Sequence, residues 1–513
     1  MGAGQGGGDA PACPVRRRSP PSIPPPSRRR GWSEGLIPSW PLIVGLAAFG
    51  RALAQPSALL NDPDTYLHIA AGRWMLAHVA LPVEDPFSHS LAGANWVPHE
   101  WLAEVVLAAV FWAAGWSGLV VLTAACFGAT MAILTGFLLR HFEPFSALIA
   151  VTLGGALVLG HLLARPHILA LPLLVTWCGA LIRSRDAGEA PPLLLLPLMA
   201  LWANLHGSFM FGLGLLLFLG CEAVLQPGAR LQEARRWGVF GLLAVAAALL
   251  SPNGLSGFVE PIRLMAMPSL QASFREWLSP DFHTFQPLEI CLLGLTALGF
   301  TTGARLPPSR LLLLLALCHM ALAHVRHAEL LGLAGPLIIA APLGPQIAAR
   351  IRTAPISELS RGVARLAAPA RQPAAVCTLV LVAGLSLVSV LRPIERTGDP
   401  VTPATALDAA MRMGLSGPVF NSEGFGGYLI FRGVPTFIDG RVELYGNGFL
   451  ARYLKAQGGD EDVLTALIKQ YAITWTLLSP QQGAVRAFDS LPGWHRVYAD
   501  NVAVIHTRTS PGR

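Results

Sequence analysis

Residues 145–182 read FSALIAVTLGGALVLGHLLARPHILALPLLVTWCGALI, and one charged side chain, Arg165, interrupts them. Two apolar runs, 145–163 and 166–182, flank that point. Each approaches the roughly 20 residues an α-helix needs to cross the hydrocarbon core of a bilayer. The Arg-Pro-His break predicts a helical hairpin with a polar tip at a membrane boundary. The pattern extends both ways along the chain. Further spans are expected at 38–54, 117–139, 190–205, 207–227, 237–251, 285–302, 309–323, 330–346 and 374–391. Residues 101–115 form one more apolar stretch, placed as an interfacial or re-entrant helix; the alternative is that it crosses and a short neighbour does not.

Composition agrees. Of 513 residues, 53% are hydrophobic and 13% charged, with a mean hydropathy of +0.51. Soluble domains carry about 25% charged residues, so a soluble enzyme is excluded as the main architecture. The expected fold is an α-helical polytopic membrane protein of about eleven crossings. From residue 392 the composition becomes that of an ordinary soluble chain, predicting a C-terminal α/β domain over 392–513 with strand-like runs at 418–420, 428–432, 436–438, 473–478 and 502–506. Residues 1–37, rich in Gly, Pro and Arg, are expected to be a disordered basic cytoplasmic tail rather than a signal peptide. Of the 37 basic residues only Lys455 and Lys469 are lysine. The arginines punctuate apolar runs instead of forming a stripe, which argues against a nucleic-acid partner. The seven cysteines form no Cys-x-x-Cys pair, so neither a disulfide framework nor a zinc–thiolate site is expected.

Arginine also orders the loops. It is dense in the tail and in 183–189, 228–236, 303–310 and 350–371. Placing these inside gives eleven crossings of a bacterial inner or plasma membrane, with the C-terminal domain outside the cytoplasm. The polar clusters at 55–100, Arg165–His167, Asn204–Ser208, Ser251–His283 and His324–Glu329 then share the outer side. Polar groups at membrane depth usually line a cavity or pathway, so a site is expected there.

The outer loop 55–100 opens with Asn61-Asp62-Pro63-Asp64 and continues into an amphipathic helix bearing His68. Two carboxylates two residues apart can hold a divalent cation such as Mg or Mn, or one can act as general base. The plainer alternative is that Asp62 caps the helix and Asp64 is solvated.

Several segments together resemble the GT-C superfamily of polytopic glycosyltransferases, in particular the dolichyl-phosphate-mannose-protein mannosyltransferase and RgtA/B/C/D-like branch. They are NDPDTYLHIAAGRW (61–74), DPFSHS (85–90), WVPHEWLAE (96–104), ARPH (164–167), WANLHGSF (202–209), SPNG (251–254) and FIDGRVELYG (437–446). The resemblance implies a polyprenyl-phosphate-linked sugar as donor and a glycan, lipid or protein acceptor. It implies that Asp64 or Asp62 serves as base or metal ligand. The chain departs from that pattern in its next outer loop, Arg165-Pro166-His167, which has no carboxylate. Glu276 or Asp281 is the substitute, unless these form only local ion pairs.

Arg165, Arg326 and Arg275 are the candidate ligands of the donor phosphate, since guanidinium groups hold phosphates bidentately; a snorkelling role is the alternative for Arg165. His68, Asp85, His99, Glu100, His167, Asn204, His206 and His327 are expected to support the site. Asp439, Arg441 and Glu443 are read as a structural network or as contacts to the acceptor or outer loops. The expected function is transfer of a sugar on the outer face of the membrane. The rival readings are a lipid or glycan flippase or transporter, and a non-catalytic GT-C-like scaffold.

Overall fold

A computed structural model describes residue 2 and residues 36–226, 231–268, 274–351, 358–396 and 399–508, without the side chains of 275, 351 and 358–361. The basic tail therefore lies almost wholly outside the described residues, as does the side chain of Arg275.

The first part of the chain is helical: α1 (Trp40–Leu53), α2 (Pro56–Leu59), α3 (Asp64–His78), α4 (Trp101–Leu138), α5 (Pro144–Leu159), α6 (His167–Asp186), α7 (Leu195–Leu205) and α8 (Phe209–Leu225). It continues through α9 (Leu231–Ala248), α10 (Gly254–Met265), a 3-10 turn (Arg275–Trp277), α11 (Pro287–Thr302), α12 (Pro308–Ala323), α13 (Ala328–Ile351), α14 (Glu358–Arg365) and α15 (Gln372–Val390). Each expected span contains a helix. Among the described residues, four helices are long and apolar enough to cross a membrane: Trp101–Leu138, His167–Asp186, Val325–Arg350 and Gln372–Val390. Six more apolar helices are 10–17 residues long.

Local chemistry sets the ends. Pro144 opens α5, and the Glu143 carboxylate accepts the amides of Phe145 and Ser146 at 3.0 and 2.8 Å. These amides have no partner within the helix. The 38-residue α4 breaks at Ala114 (φ −146°) and Gly115 (φ 58°, ψ −150°). The break falls where the sequence separates 101–115 from the span at 117–139.

Polar contacts sort the loops into two ends of the bundle. At one end Arg310 reaches Asp186 at 2.7 Å and Glu222 at 3.3 Å, while Arg185 lies 3.4 Å from Glu222. Two of the arginine-rich loops thus meet the end of α8 that leads into a third. At the other end Ala164 donates its amide to Leu59 at 2.8 Å, and Asn253 donates to Pro98 at 2.8 Å. These are segments expected on the outer side.

The C-terminal part contains α16 (Ala404–Arg412), β1 (Val419–Asn421), α17 (Glu423–Phe431), α18 (Val442–Gln457), α19 (Glu461–Gln470), β2 (Trp475–Leu477), α20 (Gly483–Ser490), β3 (Trp494–Ala499) and β4 (Val504–Arg508). The strands form one sheet in the order β1-β2-β4-β3, with β1 and β2 parallel and the other pairs antiparallel. Phe420, Phe437, Tyr453 and Phe488 are buried together beside it.

Two sequence expectations fail here. Residues 428–432, read as a strand, instead form the last turn of helix α17 (428–431) and its C-cap Arg432, so the Gly424–Gly427 run lies within a helix. A short apolar run cannot be told from a strand by periodicity; here tertiary packing decides. An added Cβ on Gly427 would stand 2.5 Å from the Pro63 carbonyl oxygen, and one on Gly426 would collide with Ile438 and Asp439. The glycines allow α17 to press against the first outer loop. Residues 436–438 are likewise outside the sheet; Thr436 pairs instead with Ser88 in an isolated parallel bridge.

Candidate functional site

A cavity of about 310 Å³ opens where loop 55–100, the α5–α6 turn and the 3-10 turn meet the C-terminal part. Asp62, Asp64 and His68 come to it from the first outer loop and α3, and Arg165 and His167 from the α5–α6 turn. His206 follows α7, Glu276 lies in the 3-10 turn, Arg326 precedes α13, and Glu423, Gly440 and Glu443 belong to the C-terminal part.

Arg165 is the hub. Its Nε lies 3.2 Å from Asp62 Oδ2, its Nη1 lies 3.1 Å from Glu276 Oε2, and its Nη2 bonds Asp64 Oδ2. Asp62 is also the helix cap expected from the sequence. Its Oδ2 accepts the Thr65 amide at 2.9 Å and the Thr65 hydroxyl at 3.0 Å. Glu276 supplies the second acidic contribution that the 164–167 segment lacks. Its other oxygen takes Arg326 Nη1 at 3.2 Å, and the Arg326 guanidinium sits 4.6 Å over the Trp277 ring.

Burial pushes the Glu276 carboxyl up, but the two guanidinium groups overwhelm it and hold the group at about 2. Asp62 is raised by burial, which Arg165 only partly offsets. Burial and the charges of Asp64 and Asp439 push Glu423 up to about 8. Burial raises Glu443 to about 7. One wall is therefore anionic and neutralised by arginine, and the C-terminal part faces it with carboxyls inclined to stay protonated.

The histidines form the other wall. His161 Nε2 stands 3.7 Å from Glu276. His206 and His99 lie 3.5 and 3.8 Å from the same oxygen of Glu100. Burial lowers His206 to about 4, so it is neutral at pH 7 and can donate one N–H without repelling a cation. His68 bonds Glu104 at 3.2 Å.

Asn204, His327 and Asp85 stand outside the cavity, whereas Arg441 reaches its lining. Asn204 spends its amide on Ala200, Leu250 and Trp101 at 2.8, 2.9 and 2.7 Å, so it holds helices together. His327 packs edge-on against Trp277 with ring centres 6.2 Å apart. Asp85 accepts Arg441 Nη1 at 2.6 Å across 356 positions of sequence. Arg441 in turn holds Asp439 with two bonds of 2.8 Å, and Tyr445 donates to Asp439 at 2.8 Å. These residues are the structural network expected from 439–443, and they dock segment 85–90 onto the C-terminal part.

Sequence reasoning missed His161, Glu104 and Glu423. The glycines after Glu423 were the available signal, since a helix rich in glycine is stable only when close packing rewards it.

The sequence offered Asp62 and Asp64 as ligands of a divalent cation or, one of them, as a general base. Their cavity-side oxygens face a guanidinium instead, and among the described residues no group of three or more His, Cys, Asp or Glu is arranged for a metal ion. A divalent cation bound through these carboxylates would have to displace the Arg165 guanidinium that contacts them.

No family model and no curated protein matches this chain. Among solved structures it is similar to the oligosaccharyltransferase of Archaeoglobus fulgidus. The apo form shares 9% identity over 84% of this chain and 69% of that one, with a TM-score of 0.46. The same archaeal enzyme, AglB, in complex with an inhibitory peptide and a dolichol-phosphate, shares 11% over 85% and 69%, with a TM-score of 0.49. The form tethered to an acceptor peptide with an NVT sequon shares 10% over 84% and 68%, also at 0.49. At such values the chemistry has to be assigned from this chain's own residues.

Proposed function

We propose that this chain is a multi-pass membrane glycosyltransferase. It moves a sugar from a polyprenyl-phosphate donor to an acceptor hydroxyl at the outer face of the membrane, with residues 392–513 outside the cytoplasm. The observation that carries the reading is the Asp64–Arg165–Glu276–Arg326 cluster lining a cavity at one end of an apolar helical bundle.

In this reading Asp64 takes the proton of the acceptor hydroxyl. The acceptor oxygen bonds to the anomeric carbon, the bond from that carbon to the phosphate oxygen breaks, and its electron pair leaves with the phosphate. Arg326 and the N–H groups of His206 and His161 face the charge that develops there, where pre-placed donors lower a barrier most. Arg165 holds Asp64 in position. A second cavity of about 380 Å³, lined by Ile149, Leu157, Leu295, Leu331 and Ile339 among others, suits the lipid tail. Its Leu157 and Leu331 stand four and five positions along the chain from His161 and Arg326.

The test is Asp64→Asn in membranes supplied with radiolabelled polyprenyl-phosphate sugars. A lost general base costs about 10²- to 10⁴-fold in rate. Wild-type turnover by a normally expressed variant overturns the assignment.

A further inference from the structure

Arg165 stands where a divalent cation would have to sit. Asp62 and Asp64 face it from one loop and Glu276 from the 3-10 turn, and all three carboxylates contact its guanidinium nitrogens. Asp62 Oδ2 also serves Thr65 twice. The other oxygen of Asp64 lies beside the backbone at Gly440, where an added methyl group would collide with it. Glu276 Oε1 is committed to Arg326. A metal ion would need this guanidinium to leave and most of these bonds to break.

We propose that Arg165 is the resident cation of this site. It neutralises and orients the D-P-D carboxylates without a divalent metal and excludes one from them. This extends the transferase reading, yet it concerns ion binding and is tested without turnover. The guanidinium is tethered to the turn between α5 and α6, so the site keeps its cation at any metal concentration. Because its Nε, Nη1 and Nη2 already face carboxylates, the donor phosphate falls mainly to Arg326.

The test is a Mn²⁺ titration of purified full-length protein in nanodiscs, read by electron paramagnetic resonance. The wild type, Arg165→Ala, Arg165→Ala with Asp62→Asn, and Asp62→Asn are compared. An adjacent opposite charge shifts ionic equilibria by about 1–3 logarithmic units, so Arg165→Ala should bind Mn²⁺ at least about tenfold more tightly than the wild type. The added Asp62→Asn should abolish that gain. Wild-type binding that Asp62→Asn removes overturns the proposal, as does an Arg165→Ala protein that binds no better than the wild type. If Arg165→Ala does not fold, the wild-type and Asp62→Asn arms still decide it. Loss of transfer in Asp64→Asn bears on the transferase reading alone.

Discussion

Replacing Arg441 by leucine tests how the C-terminal part is held over the site. The Arg441 side chain is 4% exposed, and the side chains of Asp85 and Asp439 are fully buried. Leucine removes one cation and strands two buried carboxylates. Breaking a buried pair in this way costs about 3–5 kcal/mol. Both carboxylates keep some partners: Asp85 accepts the amides of Phe87 and Ser88, and Asp439 accepts the Tyr445 hydroxyl. We therefore expect about 3 kcal/mol, the lower end of that range. Asp85→Asn retains an acceptor for those amides and loses only the charged bond to Arg441, at about 1.5–3 kcal/mol. The two changes should couple, so that Arg441→Leu costs about 1–2 kcal/mol less when Asp85 is already Asn. Urea unfolding of the protein in detergent provides the assay. An Arg441→Leu protein within about 0.5 kcal/mol of wild type, the range of ordinary surface changes, would refute the reasoning. Strict additivity of the pair would refute it too.

Other outcomes follow from the same geometry. Gly427→Ala should destabilise by about 1–3 kcal/mol through overpacking, because its Cβ would meet the Pro63 carbonyl at 2.5 Å. Gly424→Ala in the same helix has nothing within 4 Å and should gain up to about 1 kcal/mol in helix propensity; equal effects in thermal melts would contradict the docking of α17. Glu423 has an ordinary value of 4.5 and is raised to about 8 in the fold. Between those values the native state holds a proton that the unfolded chain has lost, so stability falls as pH rises through the window. Glu423→Gln lacks that penalty, so its melting-temperature advantage should widen from pH 5 to pH 8 by the equivalent of at least about 1 kcal/mol; a constant offset would show that Glu423 stays ionised. Asp64→Asn should abolish transfer and leave expression intact in the membrane assay, and by electron paramagnetic resonance the Arg165→Ala protein should bind Mn²⁺ at least about tenfold more tightly than the wild type.

Much of this protein can be read from composition and punctuation. Apolar runs of near-membrane length determine the helices, because a chain with so few charges must bury its backbone polar groups within the segment itself. The break between α5 and α6 was legible in Arg165-Pro166, and the kink in α4 in the change near residue 115. The residues around the cavity were legible in part. Asp62, Asp64, Arg165 and Arg326 stand out as charges at the edges of apolar runs, where charge is costly.

Partnership was not legible. Sequence alone offered Arg165 as a phosphate ligand and the D-P-D pair as a metal site, and both readings treat the groups separately. Folding brings the carboxylates of Asp62, Asp64 and Glu276 into contact with the guanidinium of Arg165, and a guanidinium that satisfies three carboxylates is no longer a free one. The same holds for Asp85, which reads as a loop carboxylate until Arg441 arrives from 356 positions away, and for residues 428–432, whose helix depends on the surface it packs against. Local pattern determined which segments form apolar helices and which residues cap them. Tertiary contact decided which charges neutralise each other, because Coulomb pairing depends on distance in space and local periodicity carries no record of it.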